Sequence, residues 1–231
     1  MKKIIFVILT LFVTTIAFTQ SDSNFGIIDN NDGSVTINRY FGSSNNVNIP
    51  DRINNKIVTA IGDGVFRQKN LRTVTIPNTI IYIGYRSFAE NQLENINLPD
   101  SILYINGYAF TGNRLVSIVI PNSVRYIGPQ AFSNNNLKDI TLGTSVSYIG
   151  IGSFHNNNLT SVIVPDSVLY IGAQAFLENR INRIVIGKYI ILDHGSNTAF
   201  NCFPNNFDSF YERNINNANE YYYQNNNWSI R

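Results

Sequence analysis

Cysteine and histidine are scarce in this sequence. Its 231 residues include one cysteine, Cys202, and two histidines, His155 and His194. A single cysteine excludes an internal disulfide bond. Neither histidine has a partner at zinc-ligand spacing, and no histidine lies at a recognised spacing from Cys202. We therefore expect Cys202 to be a buried, inert thiol. The sequence predicts no metal site, no cofactor and no catalytic residue, which indicates a protein that is not an enzyme.

An excess of charge of one sign is also lacking. The sequence has 17 lysine and arginine residues against 15 aspartate and glutamate residues, and the basic residues do not cluster. Binding to a phosphate backbone needs clustered basic side chains. Nucleic acid is therefore not a predicted partner.

Long apolar runs are confined to the amino terminus. Lys2 and Lys3 precede an apolar run over residues 4–18, with small or short side chains near its end. This order is typical of a secretory signal peptide, which we predict at residues 1–19. A transmembrane anchor is the alternative, although the run falls short of the roughly 20 residues that span a bilayer. After signal removal we expect no transmembrane segment, and a protein that is secreted or held at the cell surface.

The sequence does contain a repeat with a step of 22 residues. The aliphatic column is Leu71, Leu93, Leu115, Leu137, Leu159 and Ile181. The aromatic column is Phe66, Phe88, Phe110, Phe132, Phe154 and Phe176. The third column is Pro77, Pro99, Pro121 and Pro165, with Gly143 and Gly187 in place of proline. A fixed period between 20 and 50 residues is typical of a solenoid, in which each unit buries its apolar face against its neighbours.

Residues 115–136 illustrate one unit. Ile118 and Ile120 lie two residues apart and share one face of a strand. Pro121 ends that strand because it lacks an amide donor, and Val124 and Ile127 return to the core. The fold class that follows is a β-rich, right-handed solenoid of about six 22-residue units. We expect short helical or 3-10 turns on the side opposite the main sheet.

The ends of the stack are predicted to be caps, because terminal units must cover an otherwise open core. Residues 20–49 form the N-terminal β-hairpin cap, since Asp32-Gly33 between strand-like runs is a hairpin signal. Residues 50–200 form the solenoid. Residues 201–231, rich in asparagine and aromatic residues, form the C-terminal cap.

One polar column recurs inside the repeat, and one histidine occupies a variable slot. An asparagine in a tight turn can bond backbone groups, and stacked copies form a structural ladder. The column is Asn91, Asn113, Asn135, Asn157 and Asn179. His155 occupies a position that holds unrelated residues in other units, and we expect it to face solvent.

The unit pattern L-x-x-I-x-I-P-x-S-V-x-x-I-G-x-x-A-F-x-x-N-x resembles the BspA-type bacterial leucine-rich repeats over residues 34–200. Residues 115–132 and 159–176 fit closely. Many members carry cysteine near the asparagine column, so this chain departs from the family there. The resemblance implies a leucine-rich repeat fold in secreted or surface proteins that bind proteins, often as adhesins, without enzyme activity. It implies no particular ligand.

A tyrosine column supplies the candidate ligand-binding residues. Each member precedes a core isoleucine and should therefore lie at least partly outside. Coils stack about 4.8 Å apart, so five tyrosines form a stripe of roughly 19 Å. Tyrosine is enriched at interfaces, although the same rings could instead stack on one another and stabilise the coils. The column is Tyr82, Tyr104, Tyr126, Tyr148 and Tyr170.

The outward face of the predicted main sheet is a second candidate surface. One outward column is Thr73, Asn95, Ser117, Asp139, Ser161 and Arg183, and the other is Thr75, Asn97, Val119, Thr141, Ile163 and Val185.

The leading hypothesis is an exported, non-enzymatic interaction module that binds an extracellular or surface protein in an adhesin-like role. A carbohydrate-binding surface that uses the tyrosine stripe for glycan, and a structural component of the cell envelope, are the alternatives.

Overall fold

The structure is a computed structural model and describes residues 22–187, 190–193, 201–214 and 220–230. The predicted signal peptide (residues 1–19) and His194 lie outside these ranges.

Within the described ranges, a short 3-10 helix (Asp22–Asn24) precedes the strands and one α-helix, α1 (Phe207–Asn214), follows the solenoid. The strands are β1 (Phe25–Asp29), β2 (Val35–Tyr40), β3 (Asn46–Asn48), β4 (Arg52–Ile53), β5 (Lys56–Ile61), β6 (Thr73–Thr75), β7 (Tyr82–Ile83), β8 (Tyr104–Ile105), β9 (Ser117–Val119), β10 (Tyr126–Ile127), β11 (Asp139–Thr141), β12 (Tyr148–Ile149), β13 (Ser161–Ile163), β14 (Tyr170–Ile171), β15 (Arg183–Val185), β16 (Ile191–Leu192), β17 (Glu220–Gln224) and β18 (Asn227–Ile230).

The N-terminal end begins with an antiparallel hairpin of β1 and β2. Its turn uses Gly33 at a φ of 83° and an Asp32 carboxylate that accepts a hydrogen bond from the Ser34 amide at 3.0 Å. β2 then pairs in parallel with β5, and β3 pairs in parallel with β6. The described part of the predicted cap, residues 22–49, therefore supplies strands to the coil stack as well as the hairpin.

The longest sheet is built from very short strands. Its order is β1-β2-β5-β7-β8-β10-β12-β14-β16, and β4 joins its edge through β5. From β7 onward each strand has only two residues, a tyrosine or isoleucine that faces outward and an aliphatic residue that faces the core. Glycine follows most of these strands. A Cβ on Gly128 would lie 2.5 Å from the Gly107 nitrogen, and one on Gly172 would lie 2.5 Å from the Ile151 nitrogen. Glycine thus lets neighbouring coils approach closely enough to pair.

The sheet predicted to be the main one is divided. Its strands pair as β3-β6, β9-β11 and β13-β15-β17-β18, and residues 95–97 form no strand. The prediction identified the strands at the other coils correctly but assigned the continuous sheet to the wrong side. Glycines that allow close backbone approach recur beside the two-residue strands, at Gly84, Gly128, Gly150 and Gly172, and pairing is uninterrupted there.

The coils close through tight turns. In one coil the Ala131 amide donates to the Gly128 carbonyl and the Ser133 amide donates to the Gln130 carbonyl, both at 3.2 Å. Gln130 and Asn134 have φ values of 53° and 54°, which a right-handed helix cannot accommodate. The solenoid fold class is therefore confirmed. The expected helical or 3-10 turns are β-turns with left-handed residues throughout the described part of the solenoid.

The core is a column of parallel phenylalanine rings. Neighbouring centroids lie 5.1–5.5 Å apart and the ring planes differ by 2–9°. Offset-stacked rings contribute roughly 0.5–1.5 kcal/mol per pair beyond the area that they bury. Phe25 and Tyr40 cover the first ring of the column, and Phe203 stacks on the last. The fully buried rings are Phe66, Phe88, Phe110, Phe132, Phe154 and Phe176.

The asparagine column is the structural ladder that the sequence predicts. The Asn113 amide nitrogen donates to the Phe110 carbonyl of its own coil at 3.1 Å and to the Phe88 carbonyl of the preceding coil at 3.0 Å. Its side-chain oxygen accepts from the Leu93 amide at 3.1 Å. Each asparagine therefore joins two coils, and it is the preceding residue, such as Gly112, that takes the left-handed conformation.

The C-terminal end is closed by α1 and an antiparallel pair of strands. β17 pairs antiparallel with β15, and β18 pairs with β17. The Asp208 carboxylate accepts from the Cys202 amide at 2.5 Å and from the Phe203 amide at 3.1 Å. The Cys202 thiol is fully buried, as predicted, and burial together with the nearby Asp208 charge raises its pKa above that of a free thiol.

Candidate interaction surface

The tyrosine column runs along the outer face of the longest sheet. Tyrosine is the first residue of β7, β8, β10, β12 and β14, and the register pairs each tyrosine with the next. The isoleucine that follows is buried in every case, so the tyrosine side chain lies on the opposite face. The structure therefore brings together all five tyrosines that the sequence places in one column.

The C-terminal half of the column is a packed stack. The Tyr126 and Tyr148 ring centroids lie 5.0 Å apart at 13°, and the Tyr148 and Tyr170 centroids lie 4.7 Å apart at 4°. Burial, followed by the neighbouring Tyr148 phenol, raises the pKa of Tyr126. Burial and a hydrogen bond to Asp193 raise the pKa of Tyr170. Much of each ring face in this stack is covered by a neighbouring ring.

The N-terminal half of the column differs because one glycine is replaced. Asn106 occupies the position that holds Gly84 and Gly128 in the adjoining coils. Its amide nitrogen donates to the Tyr82 hydroxyl at 2.5 Å. Among the described residues, neither Tyr82 nor Tyr104 stacks on another ring, and Tyr104 is 41% exposed. This end of the column presents free ring surface.

A second group of aromatic side chains lies beside it. The Arg86 guanidinium carbon lies 5.1 Å from the Tyr85 ring centroid and 5.0 Å from the Tyr108 centroid. The two rings meet edge-on at 5.4 Å. Arg86 makes no salt bridge within the described ranges, and its charge acts at longer range on the Glu90 carboxylate. We call the set Tyr82, Tyr85, Arg86, Tyr104 and Tyr108 the N-terminal aromatic surface.

Three members of this surface, Tyr85, Arg86 and Tyr108, lie outside the predicted tyrosine column. Tyr85 and Tyr108 are 23 residues apart, one more than the repeat step, so they fall in different columns. They meet across neighbouring coils, where the Tyr85 ring packs over Gly107. A sequence signal could have identified them. One unit has an aromatic residue followed by arginine, and the next unit has an aromatic residue one position off the repeat register.

The outward columns of the divided sheet are exposed over most of their length, as predicted. At the C-terminal end they are partly covered, because β17 pairs with β15 and Arg183 donates to the Glu220 carboxylate at 2.8 Å. Arg183 and Val185 are consequently only half-exposed.

The solvent-facing position predicted for His155 is wrong. Its side chain is 26% exposed, and its Nε2 lies 3.4 Å from a Glu178 carboxylate oxygen. The Nδ1 atom is buried and has no hydrogen-bond partner among the described residues. The same slot holds Ala89 and Ser133, both fully buried. This position of the repeat faces the next coil across closely spaced turns. The residue type can therefore vary from unit to unit although the side chain is partly or fully buried.

Two further features are absent from the described residues. No helix there is long and apolar enough to cross a bilayer. No three histidine, cysteine, aspartate or glutamate side chains of those ranges are grouped so that they could hold a metal ion.

Comparison with known proteins identifies the repeat. The model of the BspA type leucine rich repeat region matches residues 59–182 in six copies, more than half of the chain. No curated protein matches.

Several solved structures share the fold. A leucine rich cell surface protein from Faecalibacterium prausnitzii is 23% identical, with a TM-score of 0.56 over 91% of this chain and 60% of its own. The leucine rich repeat protein of T. pallidum is 26% identical, with a TM-score of 0.52 over 71% of this chain and 69% of its own. The pneumococcal vaccine antigen PcpA is 21% identical, with a TM-score of 0.59 over 72% of this chain and 51% of its own. The chain thus spans 60% of the first of these proteins and about half of the last.

Proposed function

Because the chain belongs to the BspA-type leucine-rich repeat family, we propose that it is an exported, non-enzymatic module that binds an extracellular or surface protein in an adhesin-like role. The observation that carries this proposal is the N-terminal aromatic surface, where tyrosine rings and an arginine without an ion-pair partner among the described residues lie in two neighbouring coils. Of the five column tyrosines, Tyr82 and Tyr104 take part in binding, and Tyr126, Tyr148 and Tyr170 support the coils beneath them.

The chemistry of this surface suits a protein partner. Tyrosine and arginine are enriched among the residues that dominate binding energy at protein interfaces. The Arg86 guanidinium lies over the rings of both Tyr85 and Tyr108, which reduces the side-chain freedom that binding would remove. A dominant interface residue contributes 2 kcal/mol or more, which corresponds to about a thirtyfold change in Kd.

Export rests on separate support. The apolar run at residues 4–18 has the order of a signal peptide. The F. prausnitzii protein of similar fold is a cell surface protein. We therefore place the chain outside the cytoplasm, released or held at the surface.

The test is capture of partners from mixtures of extracellular proteins and of polysaccharides. The immobilised chain is compared with a Tyr104→Ser/Arg86→Ala variant. Tyr148→Ser is the matched control, because it removes a tyrosine from the same column within the packed stack. We expect the first variant to lose a saturable protein partner and keep its melting temperature. The control should keep the partner and melt a few degrees lower.

Other outcomes count against the proposal. A captured polysaccharide, lost in the Tyr104→Ser/Arg86→Ala variant, would make the same surface a carbohydrate-binding platform. No captured partner at all would favour a structural component of the envelope. Loss of the protein partner only in Tyr148→Ser would assign binding to the stack instead.

A further inference from the structure

The second coil interrupts the divided sheet. Residues 95–97 correspond to the strands β6 and β9 of the coils on either side, yet among the described residues they form no backbone hydrogen bond with either strand. Ile96 and Leu98 occupy core positions but are only half-buried, whereas Ile118 and Ile120 in the next coil are 3% and 1% exposed. The interruption opens a recess of about 530 Å³. We call it the Asn95 recess; it lies between Thr73–Val74 on one side and Ser117–Val119 on the other.

Two free carboxamides lie in this recess. Asn95 and Asn97 are both exposed and are two residues apart, so they face the same side. Their spacing along an extended chain is about 6.6 Å, the distance at which peptide groups recur on one side of another extended chain. A carboxamide offers one acceptor and two donors, which matches a peptide group. In the first coil the Asn46 carboxamide is occupied, since it accepts from the Thr73 hydroxyl at 2.8 Å. Within the described residues Asn95 and Asn97 have no such bond.

The two ends of the recess carry opposite charge. At one end it continues into a space of about 360 Å³ lined by Arg72, Arg114 and Glu94, which leaves one net positive charge. At the other end it continues into a space of about 380 Å³ in which Asp100 is the charged lining residue. Residues 94–100 separate these ends by about 20 Å when extended, the length of about six residues of a second chain.

We propose that the Asn95 recess binds an extended peptide segment of about six residues, whose backbone bonds to Asn95 and Asn97 and whose acidic end lies toward Arg72 and Arg114. Small apolar side chains of the segment contact Ile96 and Leu98, the half-buried floor. The lining has no aromatic side chain against which a sugar ring could stack, so the recess favours a peptide over a saccharide. The site is separate from the N-terminal aromatic surface and does not depend on it.

The test measures fluorescence anisotropy with a labelled library of acetylated heptapeptides. Each peptide has lysine at one end, glutamate at the other, and mixed threonine, valine and serine between them. A second library has glutamine at both ends, and a third carries N-methyl groups on alternate peptide nitrogens. The key variant is Asn95→Thr/Asn97→Thr, which copies Thr73 and Thr75 of the neighbouring coil and should therefore fold. Ser161→Thr/Ile163→Thr changes the same columns three coils away and is the control.

We expect the charged library to bind the chain saturably and the key variant to raise Kd about tenfold, the loss expected when two hydrogen bonds are removed. N-methylation should weaken binding to a similar extent, and the uncharged library should bind more weakly. The control variant and Tyr104→Ser should bind the charged library like the parent chain.

Three results would overturn the proposal. The first is no saturable binding of the charged library by the folded chain. The second is equal binding by the key variant and the parent, which would place the peptide elsewhere. The third is equal affinity for N-methylated and unmodified peptides, which would mean that the carboxamides do not bond to the backbone. Tyr104→Ser changes the N-terminal aromatic surface and leaves the Asn95 recess intact. Failure of the recess proposal can therefore be distinguished from failure of the proposal for the aromatic surface.

Discussion

Removing one rung of the asparagine ladder tests what holds the turns together. Asn135 is 7% exposed. Its amide nitrogen donates to the carbonyls of Phe110, Phe132 and Ser133 at 3.0–3.2 Å, and its oxygen accepts from the Leu115 amide at 3.1 Å. In an Asn135→Ala variant the Leu115 amide loses its acceptor, whereas the three carbonyls keep other donors: the Asn113 side chain on Phe110, the Asn157 side chain on Phe132 and the Gly112 amide on Ser133.

The magnitude follows from the orphaned amide. A buried donor or acceptor without a partner costs about 1–3 kcal/mol. Among the groups that Asn135 bonds, the Leu115 amide alone is left in that condition, so we expect a loss of about 1–3 kcal/mol. That is a substantial part of the roughly 5–15 kcal/mol by which a folded chain is usually stable.

Urea unfolding followed by circular dichroism measures the loss. Asn136→Ala is the control, because Asn136 is exposed and adjacent; we expect a change below about 0.5 kcal/mol. The slope of the unfolding curve must be compared as well, since repeats can unfold in parts. A loss below 1 kcal/mol for Asn135→Ala would refute the ladder as the element that joins the coils.

Three further expectations concern single sites. Gly128→Ala places a Cβ 2.5 Å from the Gly107 nitrogen; calorimetry should show a melting temperature several degrees lower, and an unchanged value would contradict the close-approach argument. The Arg67 hydrogen bond lowers the pKa of Glu90 from 4.5, so the pair stabilises the fold above that pH and its contribution is lost as pH falls through the lowered pKa. Glu90→Gln should therefore flatten the acid side of the stability curve below about pH 4.5, and parallel curves would count against the pair. The Cys202 thiol, with its raised pKa, should react with a thiol reagent only after unfolding, and rapid labelling of the native chain would show that it is accessible.

The sequence was sufficient to predict the coils, because the 22-residue step fixes which residues meet. Stacked phenylalanines, the asparagine ladder and the register of the tyrosines all follow from that step. A periodic pattern indicates which positions are equivalent and which are apolar. In the stack, equivalent positions lie one above another and the apolar positions face the core.

What the period could not predict depends on distances between coils. The choice of continuous sheet depends on where glycines such as Gly128 allow backbone contact. The Tyr85–Tyr108 contact lies one residue off the period, and the recess at residues 95–97 arises from hydrogen bonds that are not formed. The partial burial of His155 reflects the narrow space between two turns. None of these is a property of a single column.

Strand direction reverses at one edge of the longest sheet and at one edge of the C-terminal sheet, which limits growth of the stack at those two edges. The edge strand of a parallel stack can pair with a further parallel strand of the same kind, and fibrils elongate in this way. Here β1 runs antiparallel to β2, and β17 runs antiparallel to β15, so on these sheets a second molecule meets a strand of the wrong polarity for another coil. Duplicating an internal unit would lengthen the protein between its caps and leave both antiparallel edges intact.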